Sequence, residues 1–240
     1  MAAAVPASAR DPVAEAAQKA LDCGAPENTV ARILTAVLDG RLAREDGAWL
    51  LDLLVRACDE GLPTILLAQK AEEGLSKSVP GGVLRHALER RWEALRFARG
   101  LTAAGNQANP PPADMLMALV EGFEIGLNET AMTDLVQHHP HAPADMLATA
   151  VRCWAYLERV GMPAAESLRV VEAGLALGAL TPSWLQLPPL AGLALGKGFA
   201  ARTIADAALD ALQQGGQPQD VAVRFGLTAR RLDAPPSPGR

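Results

Sequence analysis

Pro112-Ala113-Asp114-Met115-Leu116 recurs 31 residues later as Pro143-Ala144-Asp145-Met146-Leu147. A looser third copy begins at Thr181-Pro182-Ser183-Trp184-Leu185. Each start leads into an apolar stretch and then a glycine-containing turn, at Gly126-Leu127-Asn128, Gly161-Met162-Pro163 and Gly198-Phe199. Second helical stretches begin near Glu129, Ala164 and Ala200. Gly126, Gly161 and Gly198 are 35 and 37 residues apart, and Gly24 and Gly61 are also 37 apart. Two helices in a unit of 31–38 residues mark a helical array. A single pair cannot bury its apolar stripe, whereas stacked neighbours bury it on both sides. The expected fold class is therefore all-α, with stacked antiparallel helix pairs forming an irregular α-solenoid-like array. The aromatic marks of tetratricopeptide repeats and the Thr-Pro-Leu-His mark of ankyrin repeats are missing.

Outward from this core, composition supports helix. Half of the 240 residues are hydrophobic and only 4% are aromatic, with Tyr156 the single tyrosine. A chain rich in alanine and leucine and poor in aromatic and β-branched residues favours helix over sheet. Asp11 and Pro12 read as the N-cap and first residue of a helix over 11–23, which Gly24 stops. Asn28 or Thr29 is expected to cap the next. That helix carries Val30, Ile33, Leu34, Val37 and Leu38 on one stripe, with Gly40 ending it. A third spans 44–59, with Trp49, Leu50, Leu53, Leu54 and Cys58. Gly61 closes it, and Pro63 opens a fourth through about Glu73. A long helix over 81–99 should turn Val83, Leu84, Leu88, Trp92 and Leu95 inward.

Residues 1–10 lack periodicity, and 234–240 hold three prolines, so both ends are expected to be disordered. Gly100 to Pro112, rich in Gly, Asn and Pro, reads as a linker between a helical half at 11–99 and helical repeats at 113–233. No stretch has the roughly 20 consecutive apolar residues of a membrane span. Ala7-Ser8-Ala9 has the A-x-A form of a signal cleavage site, which leans the expected location towards an extracytoplasmic (periplasmic) one, with the cytoplasm as the alternative. Cys23, Cys58 and Cys153 are far apart and form no C-x-x-C pair. They read as small buried apolar residues, with one disulfide open if the protein is exported.

His138, His139 and His141 could ligate a transition metal, but they surround Pro140 in an inter-repeat loop and share no helical face. No metal and no cofactor is expected. Gln219 to Leu232 resembles the core of a helix-turn-helix: Ala222 stands at the small position, Gly226 in the turn, and Leu227 and Leu232 as anchors. Arg224, Arg230 and Arg231 are the nucleic-acid candidates this implies. The recognition helix would stop at Leu232, because Asp233-Ala234-Pro235-Pro236 comes next. The net charge of −5 also weighs against phosphate binding.

Arg85, Trp92, Arg96 and Arg99 make a candidate partner surface on the helix over 81–99. The alternative is a solvated face paired with Glu89 and Glu93. No nucleophile elbow, phosphate loop or paired general acid and base is visible. The expectation is a non-enzymatic helical-repeat scaffold or adaptor that binds another protein. Two alternatives stand beside it: a helical protein holding a small apolar ligand or lipid in an interhelical cavity, and a DNA-associated regulator acting through the C-terminal segment.

Overall fold

The computed structural model describes residues 11–104 and 112–227. Among them every regular element is a helix. In order these are α1 (Pro12–Asp22), α2 (Glu27–Leu38), α3 (Arg44–Asp59), α4 (Thr64–Ser76), α5 (Gly81–Ala104), α6 (Ala113–Ile125), α7 (Glu129–His138), α8 (Ala144–Arg159) and α9 (Ala164–Ala176). A 3₁₀ turn over Pro182–Gln186 then leads into α10 (Leu187–Gly196), α11 (Ala201–Gln213) and α12 (Pro218–Arg224). No helix of the described residues is long and apolar enough to cross a membrane. The chain divides into two units between Arg96 and Phe97, inside α5.

In the first unit, α1 packs on α3 and α2 packs on α4, alongside the contacts between sequential helices. Ile33, Leu51, Leu53, Leu67 and Leu88 are fully buried and form its core. In the second unit, α6 lies against α8, α8 against α9 and α10, and α9 against α11. Helix α8 is the centre. It buries Leu147, Ala148, Ala150, Val151, Cys153, Trp154, Ala155 and Leu157, so it is apolar nearly all round, as a helix with neighbours on several sides must be. In both units a helix meets the next but one as well as its immediate neighbour.

One turn recurs and sets this geometry. At the end of α3 the Gly61 N–H donates to the Cys58 carbonyl and the Leu62 N–H to the Ala57 carbonyl, both at 2.7 Å. This is a Schellman motif, and it needs a left-handed residue at its centre; Gly61 has φ +65°. The same long bond joins Ala25 to Ala20, Leu127 to Gly122, Met162 to Leu157, Ala179 to Gly174 and Phe199 to Ala194. Leu62, Leu127 and Met162, each just past its turn, are buried. The turn thus reverses the chain and plants an apolar residue against the helix just ended. Gly40 and Ser78 carry the turns of α2 and α4. They are 38 residues apart, so the first unit keeps nearly the spacing of Gly24 and Gly61.

Four expectations change. The residue before α2 is Pro26, not Asn28 or Thr29; Thr29 is fully buried and donates its hydroxyl to Glu72 Oε1 at 2.5 Å, linking α2 to α4. Val83 is 59% exposed and Trp92 half-buried, so neither faces the core as Leu84, Leu88 and Leu95 do. Helix α5 continues through Gly100 to Ala104, into the stretch read as a linker, because Leu101 and Thr102 are buried and anchor it. The third copy of the repeat starts as a 3₁₀ turn, because Pro188 and Pro189 lack the N–H groups an α-helix would need there. Residues 1–10, 105–111 and 228–240 lie outside the described residues, and with them the expected disordered ends and most of the linker.

Candidate functional site

Two facing stripes meet in the first unit. Trp49 and Arg56 on α3 and Glu60, which caps its C-terminus, lie at i, i+7 and i+11, which is one face of a helix. Arg85, Trp92 and Arg96 repeat that spacing on α5. Every pair across the two stripes is 36 residues apart, so the turns that set the repeat also set the register of side chains.

The result is a ladder of alternating guanidinium and indole groups. The Arg85 guanidinium stands 4.8 Å from the Trp49 ring centre. Arg56 lies between the indoles, 6.0 Å from Trp49 and 5.1 Å from Trp92. Arg96 closes the row at 4.9 Å from Trp92. Each guanidinium also has a carboxylate from α3 or its C-cap: Asp46 at 3.4 Å from Arg85, Asp52 at 3.3 Å from Arg56 and the capping Glu60 at 3.2 Å from Arg96. The expected alternative, pairing with Glu89 and Glu93 on the same helix, is replaced for Arg85 and Arg96 by these contacts from the neighbouring helix. A cation–π contact at a partly exposed site is worth about 0.5–1 kcal/mol, and exposed ion pairs about 0–1. Such terms are small beside the burial of leucines in the same unit, so the ladder orders side chains more than it builds the fold.

The chain has four tryptophans. Trp154 and Trp184 are 2% and 0% exposed. Trp49 and Trp92 are the two that reach the surface, and both lie in the ladder. Trp92 Nε1 is shielded from solvent, yet no acceptor reaches it among the described residues. Buried indole N–H groups usually find a partner. Arg99, the fourth residue of the candidate surface, falls in the second unit.

Beside the ladder, a groove of about 370 Å³ runs between α1 and α3, with Glu15 and Lys19 on one wall and Trp49, Asp52 and Val55 on the other. A second hollow of about 250 Å³ is bordered by Arg32, Thr35, Arg41, Leu75 and Ser76. Both have charged walls. At one end of α1 and α3, Cys23 and Cys58 are joined by a disulfide with Cα atoms 6.1 Å apart. Both are half-buried, so the reading of these two as buried apolar residues fails: the turn after α1 and the last turn of α3 bring them together. Cys153 does fit that reading. It is fully buried, and desolvation pushes its thiol up to about 12.

The second unit has its own cross-helix network. Arg152 on α8 donates through Nε to Glu121 at 2.9 Å and through a terminal nitrogen to Asp114 at 2.7 Å, both on α6. The two carboxylates hold the guanidinium in its charged form against the cost of burial. Tyr156 donates to the same Glu121 oxygen at 3.5 Å, and burial raises its phenol pKa. On α9, Arg169 reaches Asp206 of α11 at 2.7 Å.

The histidines are placed separately: His138 ends α7, His139 comes next and is half-buried, and His141 is exposed in the turn. Among the described residues no three His, Cys, Asp or Glu side chains gather as a metal site. Arg224 ends α12 and pairs with Asp210 of α11 at 2.6 Å. Gly226 occupies the turn after α12 with φ +61°, while Arg230 and Arg231 lie outside the described residues. The ladder's 36-residue register is present in the sequence. The helix over 81–99 does not reveal it alone, because Trp49 and Arg56 sit on another helix, where Trp49 reads as part of an apolar stripe. Comparison with protein-family models, with curated proteins and with solved structures finds no match to this chain.

Proposed function

We propose that the chain is a helical-repeat adaptor, and that its first unit binds another protein through the α3/α5 face. The observation that carries this reading is the pairing of the two surface tryptophans with three arginines in one ordered row. Tryptophan and arginine dominate the energetically decisive residues of protein interfaces. Stacking and ion pairing fix these long side chains in advance, so less entropy is lost when a partner docks. Within each unit several helices pack on the next but one, which supports the adaptor reading, because arrays of stacked helix pairs present broad faces to partners.

Affinity purification from the source cells tests this with Trp49→Ala, Trp92→Ala and, as a control, Arg202→Ala at an exposed position of α11. Each tryptophan change should weaken partner recovery by about 30-fold, the cost of losing a contact of about 2 kcal/mol. Arg202→Ala should leave recovery unchanged, and all three should keep wild-type helicity. Full recovery with both tryptophan variants would remove the α3/α5 face from the account.

A further inference from the structure

The disulfide lies where it can govern the α3/α5 face. Helix α1 is weakly seated by its own side chains: it buries Val13, Ala17 and Ala20, whereas α3 buries four leucines, Leu50, Leu51, Leu53 and Leu54. Apolar stabilisation scales with the area removed from water, and alanine offers little of it. One side-chain tie from the start of α1 is the pair between Asp11 and Arg44, which is exposed and so contributes little. The Cys23–Cys58 bond therefore fastens to α3 a helix whose own buried side chains are small. Helix α1 also supplies one wall of the groove whose other wall holds Trp49 and Asp52. Holding α1 down keeps it alongside the indole at the end of the ladder.

We propose that Cys23–Cys58 is a redox latch: oxidation seats α1 beside Trp49, and reduction releases α1 and uncovers that side of the partner face. The latch rests on the reading of the α3/α5 face as a partner surface. Both cysteines are half-buried rather than sealed in the core, which leaves an approach for a small thiol reagent, whereas Cys153 is buried in α8. Closure requires an oxidising disulfide such as oxidised glutathione. One cysteine thiolate attacks it, forming a mixed disulfide and releasing one glutathione thiol. The second cysteine thiolate then displaces the other glutathione. Two electrons and two protons of the cysteine thiols end on two glutathione molecules, and dithiothreitol drives the reverse exchange.

Hydrogen exchange of the full chain, read by mass spectrometry with and without dithiothreitol, tests the latch. Alkylation after denaturation should count one free thiol in the oxidised protein and three in the reduced protein. On reduction, amides of α1 should exchange at least tenfold faster, while those of α4 stay within twofold. A Cys23→Ser/Cys58→Ser variant should show fast α1 exchange whether or not reductant is present. Three free thiols after treatment with oxidised glutathione would overturn the proposal. So would α1 exchange that is the same in both redox states, or acceleration of α1 and α4 together, which is unfolding of the unit rather than release of one helix. None of these measurements involves the partner. A latch that opens as described, with partner recovery unmoved by Trp49→Ala and Trp92→Ala, would leave the latch standing and the face reading refuted.

Discussion

Glu73 on α4 sits between two ammonium groups, Lys77 at 2.6 Å and Lys70 at 3.0 Å. Their hydrogen bonds, that of Lys77 first, lower its carboxyl from the ordinary 4.5 to about 2. A carboxyl held below its unfolded value stabilises the fold fully above that value, and loses its contribution as pH falls through the folded one. The window is therefore pH 4.5 down to about 2. Thermal unfolding followed from pH 5 to 2 should show a smaller drop in Tm for Glu73→Gln than for the wild type. Because the group is exposed, the difference shrinks as salt is added. Single residues are also where the sequence says least. Trp92 and Val83 fall within an apolar stripe on α5, but a stripe records spacing, not the neighbour it meets. Neither residue faces the core. Cys23 and Cys58 cannot be paired from sequence, because 35 residues separate them and only the folded turns bring them together.

Among helices, the recurring unit is the Schellman turn, and three of these turns are preceded by a helical glycine whose absent side chain makes room for neighbouring side chains. Gly74, Gly122 and Gly174 accept the long turn bonds from Val79, Leu127 and Ala179. At Gly174 a Cβ would lie 2.5 Å from Leu180 Cγ, a branch point that is itself buried. Alanine is favoured over glycine inside a helix by about 1 kcal/mol, but overpacking a filled core costs about 1–3 kcal/mol. Leu180 has no free end to move, so overpacking wins. Gly174→Ala should lose about 1 kcal/mol in chemical denaturation with an unchanged m-value; a gain in stability would contradict this packing. The helix starts at Ala113, Ala144, Glu129 and Ala164 are legible from the repeated Pro-Ala-Asp-Met-Leu motif and the glycine turns, because both act over a few residues. The 3₁₀ start at Pro182 is less visible: two later prolines override a motif that otherwise predicts a helix.

Across the chain, the polar ties between helices also run one repeat in length. Trp49 with Arg85, Arg56 with Trp92, Glu121 with Tyr156 and Arg169 with Asp206 join residues 35 to 37 apart. Each unit is thus held by contacts between successive pairs. The all-α class is legible from composition and turn spacing, because every pair repeats the same local chemistry. The candidate face is legible only when the two stripes are aligned one repeat apart, which requires knowing that α3 and α5 are neighbours. Site-specific photocrosslinking in the source cells asks directly whether that face meets a partner. A benzophenone amino acid replaces Glu89, exposed on the Arg85–Trp92–Arg96 stripe, or Arg32, exposed on α2. The account predicts a discrete protein adduct from position 89, absent from position 32 and lost when Trp92→Ala is added. An adduct from position 32 alone, or one from position 89 that survives Trp92→Ala, would contradict it.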